Sequence, residues 1–539
     1  MSHPCFRALW RGALTLLLTL PLWVAAQGTP DGGGGGGAAA ADPAHDPRLQ
    51  ESAQTSTGSV TVGGQRLDYR AVAGLMPVDD AKDEPSAVMS YTAYFVKPPA
   101  GGAPRPLIFF YNGGPGSSTT WLHMGAFGPK RVLTGNGQRG PAAPYRLVDN
   151  DDSLLDVADL VFIDAPGTGF GRIVAVDKDK AKEHAKLKDK EKEFWGVDVD
   201  AQAFARFIKK FLNRNGLWNA PKYLFGESYG TTRSAVLVNL LQQQEAIDVN
   251  GVMLVSQILN YGFSPDDPQA APGNDLPYAL ALPTYAATAW YHHKLPDWAD
   301  RSPQTLGRLL VEARRFALDE YLPALTAGST LDAARQHAVA EKMSRLIGLP
   351  VAYIEKARLR IYGGMFSNQL LTDEGQTVGR LDTRYKGPSL DPLAKDAYYD
   401  PQAAAISSAY LSVYNDYARN VLKVGGDAKF SLFADVWPIW DFKHQLPGDG
   451  HPSQRTLNVM PDLAAAMLTN PRLKVATFSG LFDLATPFFQ AEYELSHLPI
   501  QPALRANLEI HHYAAGHMMY DDPASLKQLH DDVVRFIRK

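Results

Sequence analysis

The sequence predicts an α/β fold, a central, mostly parallel sheet interrupted by a largely helical inserted cap domain. Short apolar runs recur at 107–111, 160–163, 223–225, 252–255 and 475–478, each with the length and character of a strand buried on both faces. Helical patterns such as 199–212 and 234–243 fall between them, and strands alternating with helices build a parallel sheet. The tract from about 263 to 446 breaks the alternation. It is rich in Ala, Tyr and Trp and mostly helical in pattern, as expected of a cap inserted between two core strands.

The elements follow in order. Arg7 and Arg11 precede an apolar stretch from Gly12 to Leu22, and Val24-Ala25-Ala26 supplies small residues for cleavage, so 1–26 reads as an export signal. That stretch is shorter than the roughly 20 residues of a spanning helix and contains Pro21, so no stable membrane insertion is expected after cleavage. Residues 27–57, with the glycine run from Gly32 to Gly37, are expected to be a disordered linker, because they carry too little apolar surface to offset their ordering entropy. Strands at 59–62 and 66–72 flank the hairpin signal Gly63-Gly64, and 88–96 alternates as a third. The stretch from Asp177 to Glu193 holds seven lysines against six acids, a solvated helix rather than a polyanion site. The core is thus expected at 58–262 and 447–539, with the cap at 263–446.

Composition excludes several classes of function. With 539 residues and a net charge of −4, the chain has room for a large enzyme core and no basic face for nucleic acid. Cys5 is the only cysteine and lies in the expected signal, so a disulfide framework, a thiol nucleophile and a cysteine-bound zinc are excluded from the mature chain. The sequence contains no Asn-x-Ser/Thr site; with the missing cysteines, this favours a bacterial periplasmic or secreted protein. The adjacent pairs His292-His293 and His511-His512 point apart on a regular element and no His-Glu-x-x-His occurs, so no metal or other cofactor is expected.

The strongest chemical signal is Gly226-Glu227-Ser228-Tyr229-Gly230, after one apolar strand and before a helical run. Glycines two residues either side let a tight turn push the Ser228 hydroxyl out of the sheet, the context of a nucleophile elbow. A serine needs a base, and the base an orienting carboxylate. The run 473–478 leads into Asp483, and 508–513 leads into Gly516-His517, where glycine permits a sharp turn. His511 and His512 compete as base but lie within the strand; Asp435, Asp441 and Asp462 are the weaker acids. Asn112-Gly113-Gly114-Pro115-Gly116-Ser117-Ser118 follows the strand at 107–110. It lacks the Gly-Lys-Ser/Thr ending of a phosphate loop, so its exposed N–H groups suit an oxyanion, with Gly114 and Tyr229 as the two donors.

These motifs, with Phe162-Ile163-Asp164-Ala165-Pro166-Gly167-Thr168-Gly169-Phe170 and Gly516-His517-Met518, resemble the serine carboxypeptidases, exopeptidases of the α/β-hydrolase fold. The resemblance runs from about Ser90 to the C-terminus and is weakest across the cap. It implies that Glu227, Asn112 and the Gly113 N–H bind the terminal carboxylate of a peptide or protein substrate. Two departures stand out. Gly230-Thr231-Thr232-Arg233 replaces the Ala-Gly that often follows Glu-Ser-Tyr, and Ala126 stands where better-known members carry a further glutamate, implying a smaller carboxylate-binding network. The expected activity is acyl-enzyme hydrolysis of C-terminal peptide bonds at acid pH, which requires the pKa of His517 to be depressed in the productive state. An esterase or acyltransferase with the same triad is the enzymatic alternative, and an inactive peptide-binding module the other.

Overall fold

The computed structural model describes residues 46–97, 101–177 and 179–539. The expected signal, Cys5 and the glycine run lie outside them. Ten strands form the central sheet: β1 (Ser52–Val62), β2 (Gln65–Asp79), β3 (Pro85–Val96), β4 (Leu107–Tyr111), β5 (Asp159–Ile163), β6 (Arg172–Ile173), β7 (Lys222–Glu227), β8 (Gly251–Val255), β9 (Lys474–Gly480) and β10 (Leu508–Tyr513). Their order is β1-β2-β3-β5-β4-β7-β8-β9-β10, with β6 beside one end of β3. β1, β2 and β3 pair antiparallel, and from β5 to β10 every neighbour is parallel. A parallel sheet aims all its carboxyl ends to one side, where ligand sites of such folds are built.

The residue pattern explains the layers. In β4, Phe109 and Tyr111 join one apolar cluster and Ile108 and Phe110 the other, so the strand is buried on both faces. The first face is covered by α2 (Val197–Asn215), α3 (Tyr229–Glu245) and α8 (Met460–Thr469), the second by α7 (Pro401–Asn420) and α10 (Pro523–Arg538). Among the described residues, the other α-helices of eight residues or more are α1 (Lys180–Lys192), which buries no residue and is the solvated charged helix expected there, α4 (Leu276–Tyr291), α5 (Pro303–Phe316), α6 (Ala333–Ile347) and α9 (Phe488–Ser496).

Two expectations change. β1 begins at Ser52, inside the stretch expected to be linker, and Leu49 is buried against Val88 and Val174. β1 is an edge strand of mostly exposed polar residues, held by its backbone ladder to β2 from Ser52↔Leu75 to Val62↔Gln65. Composition does not register a strand whose support is main-chain pairing. The helical tract is also not uniform. Residues of α4, α5 and α6 build a separate core around Tyr285, Phe316 and Met343, whereas Tyr410, Tyr414 and Tyr417 of α7 pack directly on the sheet.

His444, on the return from this tract, is clasped between Asp198 in the first turn of α2 and Asp462 in the first turn of α8. Burial works against its charge, but the two hydrogen-bonded carboxylates outweigh it and push the imidazole up to about 9. A raised pKa stabilises the fold fully below the ordinary histidine value of about 6.5, and that stabilisation is lost as pH rises through about 9. Replacing His444 by Gln leaves two carboxylates without their cation and is expected to cost about 3 kcal/mol near pH 6. The difference between variant and wild-type thermal midpoints should shrink between pH 6.5 and 9; equal differences at both ends would disprove the charged clasp.

Candidate active site

The chain turns from β7 to α3 over a single residue. Ser228 makes the turn at φ +60° and ψ −128°, a backbone conformation that costs on the order of 1–3 kcal/mol for a side-chain-bearing residue. The surroundings hold it there: its N–H donates to Val255 O at 2.9 Å and its carbonyl accepts from Thr231 N at 2.8 Å. The flanking glycines have a packing reason, since a Cβ on Gly226 would lie 2.2 Å from Gly230 O. The side chain of Ser228 is left half-buried at the carboxyl edge of the sheet.

Asp483 and His517 follow β9 and β10, so the three residues sit at carboxyl ends of parallel strands, with only β8 between the strand of Ser228 and that of Asp483. Asp483 is fully buried. Its Oδ1 accepts from the N–H groups of Ala485 (2.9 Å) and Thr486 (3.0 Å), and its Oδ2 from Thr486 Oγ1 (2.7 Å) and His517 Nδ1 (2.8 Å). A carboxylate only accepts, so the proton stays on Nδ1 and Nε2 is left as the basic nitrogen. The His517 carbonyl accepts from Ser256 Oγ at 2.7 Å, tying this loop to the end of β8 beside the elbow. Burial disfavours the imidazolium, but Asp483 and Glu227 together hold the His517 pKa above its ordinary value, against the opposing charge of Arg380. The depression expected from the sequence is therefore not found in the free protein, because two carboxylates outweigh burial.

The glycine loop lies directly against the elbow. A Cβ on Gly113 would come within 2.4 Å of Tyr229 N and 2.7 Å of Glu227 O, so only glycine allows the approach. Gly114 turns beside it at φ +106°, and Tyr229 opens α3, where first-turn N–H groups have no intrahelical acceptor. The side chain of Glu227 is buried beneath. Its Oε1 accepts from Asn112 Nδ2 at 2.9 Å and its Oε2 from Tyr520 OH at 2.7 Å. Burial pushes this carboxyl up to about 7, while the charge of His517 and the bonds from Tyr520 and Asn112 pull the other way. Tyr520 escapes a motif search, being a tyrosine three residues beyond His517. Gly125, one residue before Ala126, leaves room for its ring.

Arg233, in the segment that departs from the family pattern, is a second residue the sequence did not reveal. It is wholly buried, with Nε 2.6 Å from Asp200 Oδ2, Nη2 3.2 Å from Asp200 Oδ1, and Nη1 donating to the Asn112 carbonyl at 2.8 Å. Its guanidinium also lies over the rings of Phe204, Tyr111 and Tyr229. The fork thereby locks α3 to α2 and to the head of the glycine loop. Asp164 steadies the loop's far end by accepting from Thr119 N (2.7 Å) and Ser90 Oγ (2.6 Å).

The rejected candidates are engaged elsewhere. His512 lies 2.9 Å from Glu492, His511 contacts Glu509 and Asp532, and Asp462 holds His444. Asp441 pairs through its backbone with Val197, and Asp435 joins none of the contacts around His517. His292 meets the Thr383 carbonyl at 2.7 Å. No cluster of three metal-ligating side chains occurs among the described residues.

Strand order, elbow and the two loops after β9 and β10 define an α/β-hydrolase fold. Residues 63–263 match the peptidase S10 family, serine carboxypeptidase. A serine carboxypeptidase-like protein (number 45) of Arabidopsis thaliana is 25% identical over 205 residues, 37% of this chain and 39% of the relative, so the chain spans about two fifths of that protein's length. Kex1Δp, a prohormone-processing carboxypeptidase from Saccharomyces cerevisiae, superposes with a TM-score of 0.52 at 14% identity, over 87% of this chain and 91% of its own. That likeness concerns the fold.

Arg233→Met strands Asp200 in the core and is expected to cost about 3–5 kcal/mol, read as a lowered thermal midpoint. The double variant Asp200→Leu/Arg233→Met should recover most of that stability. It should not recover the rate of Ser228 labelling by a fluorophosphonate, because the Asn112 carbonyl still lacks its donor.

Proposed function

We propose that the protein is a serine-type carboxypeptidase that releases residues from the C-termini of peptides or proteins through an acyl-enzyme. Ser228 attacks the last peptide carbonyl, His517 Nε2 takes its proton and returns it to the leaving amine, and Asp483 orients and charge-balances the imidazole. The N–H groups of Gly114 and Tyr229 receive the oxyanion, and water then repeats the sequence to free the acyl group. No cofactor enters these steps. The export-signal pattern of residues 1–26 supports a site of action outside the cytoplasm, secreted or periplasmic in a bacterium. Among the described residues no helix is long and apolar enough to cross a membrane.

One observation carries the reading: a carboxyl buried next to the nucleophile, with only the neutral donors Asn112 and Tyr520 bonded to it. Elbow geometry needs no acid there. A carboxyl whose pKa is raised to about 7 keeps its proton at acid pH and donates it to a substrate carboxylate, which an ionised Glu227 would repel. The match of residues 63–263 to the serine carboxypeptidases supports the same conclusion.

The sign of the pH dependence follows. His517 titrates alike for every substrate, so the ratio of kcat/KM for a free-acid peptide to that for its C-terminal amide isolates Glu227. The ratio should be flat at acid pH and fall above about 7, approaching a tenfold loss per pH unit. In Glu227→Gln it should stay flat. Superimposable wild-type and Glu227→Gln ratios would remove Glu227 as carboxylate sensor and favour an esterase or acyltransferase.

Ser228→Ala should fold normally and lose roughly 10³-fold or more of turnover and all fluorophosphonate labelling. More than a tenth of wild-type activity in that variant would disprove the nucleophile. Folded wild-type protein that resists the probe would instead be an inactive peptide-binding module.

A further inference from the structure

Residues 379–385 come from the helical insertion yet run between the loop that carries Asp483 and the loop that carries His517. On the Asp483 side, the Thr383 N–H and Oγ1 donate to Phe482 O at 3.0 and 3.1 Å, and Leu484 N donates to Arg380 O at 3.1 Å. On the His517 side, His517 N donates to Leu381 O at 2.7 Å, Gly516 N to Asp382 Oδ2 at 3.2 Å, and Arg384 Nη1 to Ala514 O at 2.9 Å. The Phe482 carbonyl and Leu484 N–H on either side of Asp483, and the N–H groups of Gly516 and His517, thus end on this one segment, which adds to the direct bond between the loops from Phe482 N to Ala515 O at 3.0 Å.

The segment is itself fixed at several points. Asp400, which caps the start of α7, accepts the N–H groups of Arg380 (2.6 Å) and Leu381 (2.9 Å). Thr383 Oγ1 meets Thr288 Oγ1 at 2.6 Å on α4, and Tyr385 OH donates to Asp521 at 2.6 Å. At its centre, Asp382 and Arg384 form a fork-to-carboxylate pair, with Nη2 to Oδ2 at 2.6 Å and Nε to Oδ1 at 3.0 Å. Both side chains are buried. Apolar residues of similar size usually serve stability as well as a buried ion pair does. What this pair adds is direction, because its free valences end on Gly516 N and Ala514 O. The fit leaves no slack: a Cβ on Gly516 would lie 2.4 Å from Asp382 Cβ.

We infer that Asp382 and Arg384 are positioning residues for the hydrolytic reaction, holding the His517 loop against the Asp483 loop so that the imidazole is correctly aimed. The inference rests on the triad assigned above. A loop displaced by about 1 Å costs a reaction on the order of 100-fold while substrate contacts elsewhere persist. Loss of either residue should therefore lower kcat and spare KM.

Arg384→Lys removes the fork and Asp382→Asn the charge, each keeping its side chain's size. Both are compared with wild type for peptide kcat and KM, for the rate of Ser228 labelling by a fluorophosphonate, and for thermal midpoint, with rates taken well below the lowest midpoint. The expected result is a 10- to 100-fold loss in kcat and in labelling rate, with KM within about threefold. Should either variant fail to fold, Thr383→Val, which removes the hydroxyl contacts to Phe482 O and Thr288 Oγ1 and keeps the backbone bond to Phe482 O, takes its place, with a loss of about tenfold expected. Labelling within threefold of wild type, or a rise in KM at unchanged kcat, overturns the inference. The probe requires no peptide, so wild type that is labelled yet releases no C-terminal residue refutes the carboxypeptidase reading and leaves this test standing.

Discussion

The site depends on how closely backbones approach one another without side chains between them. Gly113 rests on the elbow, Gly226 on Gly230, Gly480 on Gly516, and Gly516 on Asp382, each where an added Cβ would lie 2.1–2.6 Å from a neighbouring atom. Such contacts turn separate loops into one rigid block. That block holds Ser228 at its positive φ, since the strain of one residue is sustained only when its neighbours over-determine it. It also brings main-chain N–H groups, which need no rotamer to be fixed, to the place where charge develops in the proposed reaction.

The buried charges around this block are matched in a graded way. Arg233 faces Asp200, Arg384 faces Asp382, and His444 faces Asp198 and Asp462. These pairs spend their charge on geometry: the first and last join segments distant in sequence directly, and Asp382 and Arg384 do so through their bonds to Gly516 and Ala514. Glu227 differs, because Asn112 and Tyr520 bond it but supply no counter-charge. A carboxyl kept in that condition retains affinity for a proton, and the proton retains the capacity to be shared with another acid.

Much of this was legible in the chain. The apolar runs marked the parallel strands within a residue or two, and the glycine-flanked serine, Asp483 and His517 declared themselves through their positions after strands. Two kinds of feature were not legible. β1 is polar and edge-placed, and its ladder to β2 is main-chain chemistry that composition does not encode. Tyr520, Arg233 and Asp382 act through partners 293, 33 and 134 residues away, and no local pattern announces a long-range hydrogen bond. The departure at Arg233 was visible as a difference from the family, but its meaning required knowing what lay opposite.

The anchoring of 379–385 bears on how such an enzyme is shortened or recombined. An insertion that only roofs a cleft can be trimmed, or exchanged for that of another hydrolase, with specificity as the sole casualty. Here the excised piece would carry away the acceptor for the His517 amide and the side chain that occupies the space beside Gly516. A minimal version of this protein therefore has to keep the stretch from 379 to 385 and its anchor Asp400, even if every helix from 303 to 347 is discarded. Libraries that swap caps between homologues should be joined upstream of these residues, so that the chimera inherits segment and histidine loop from the same parent.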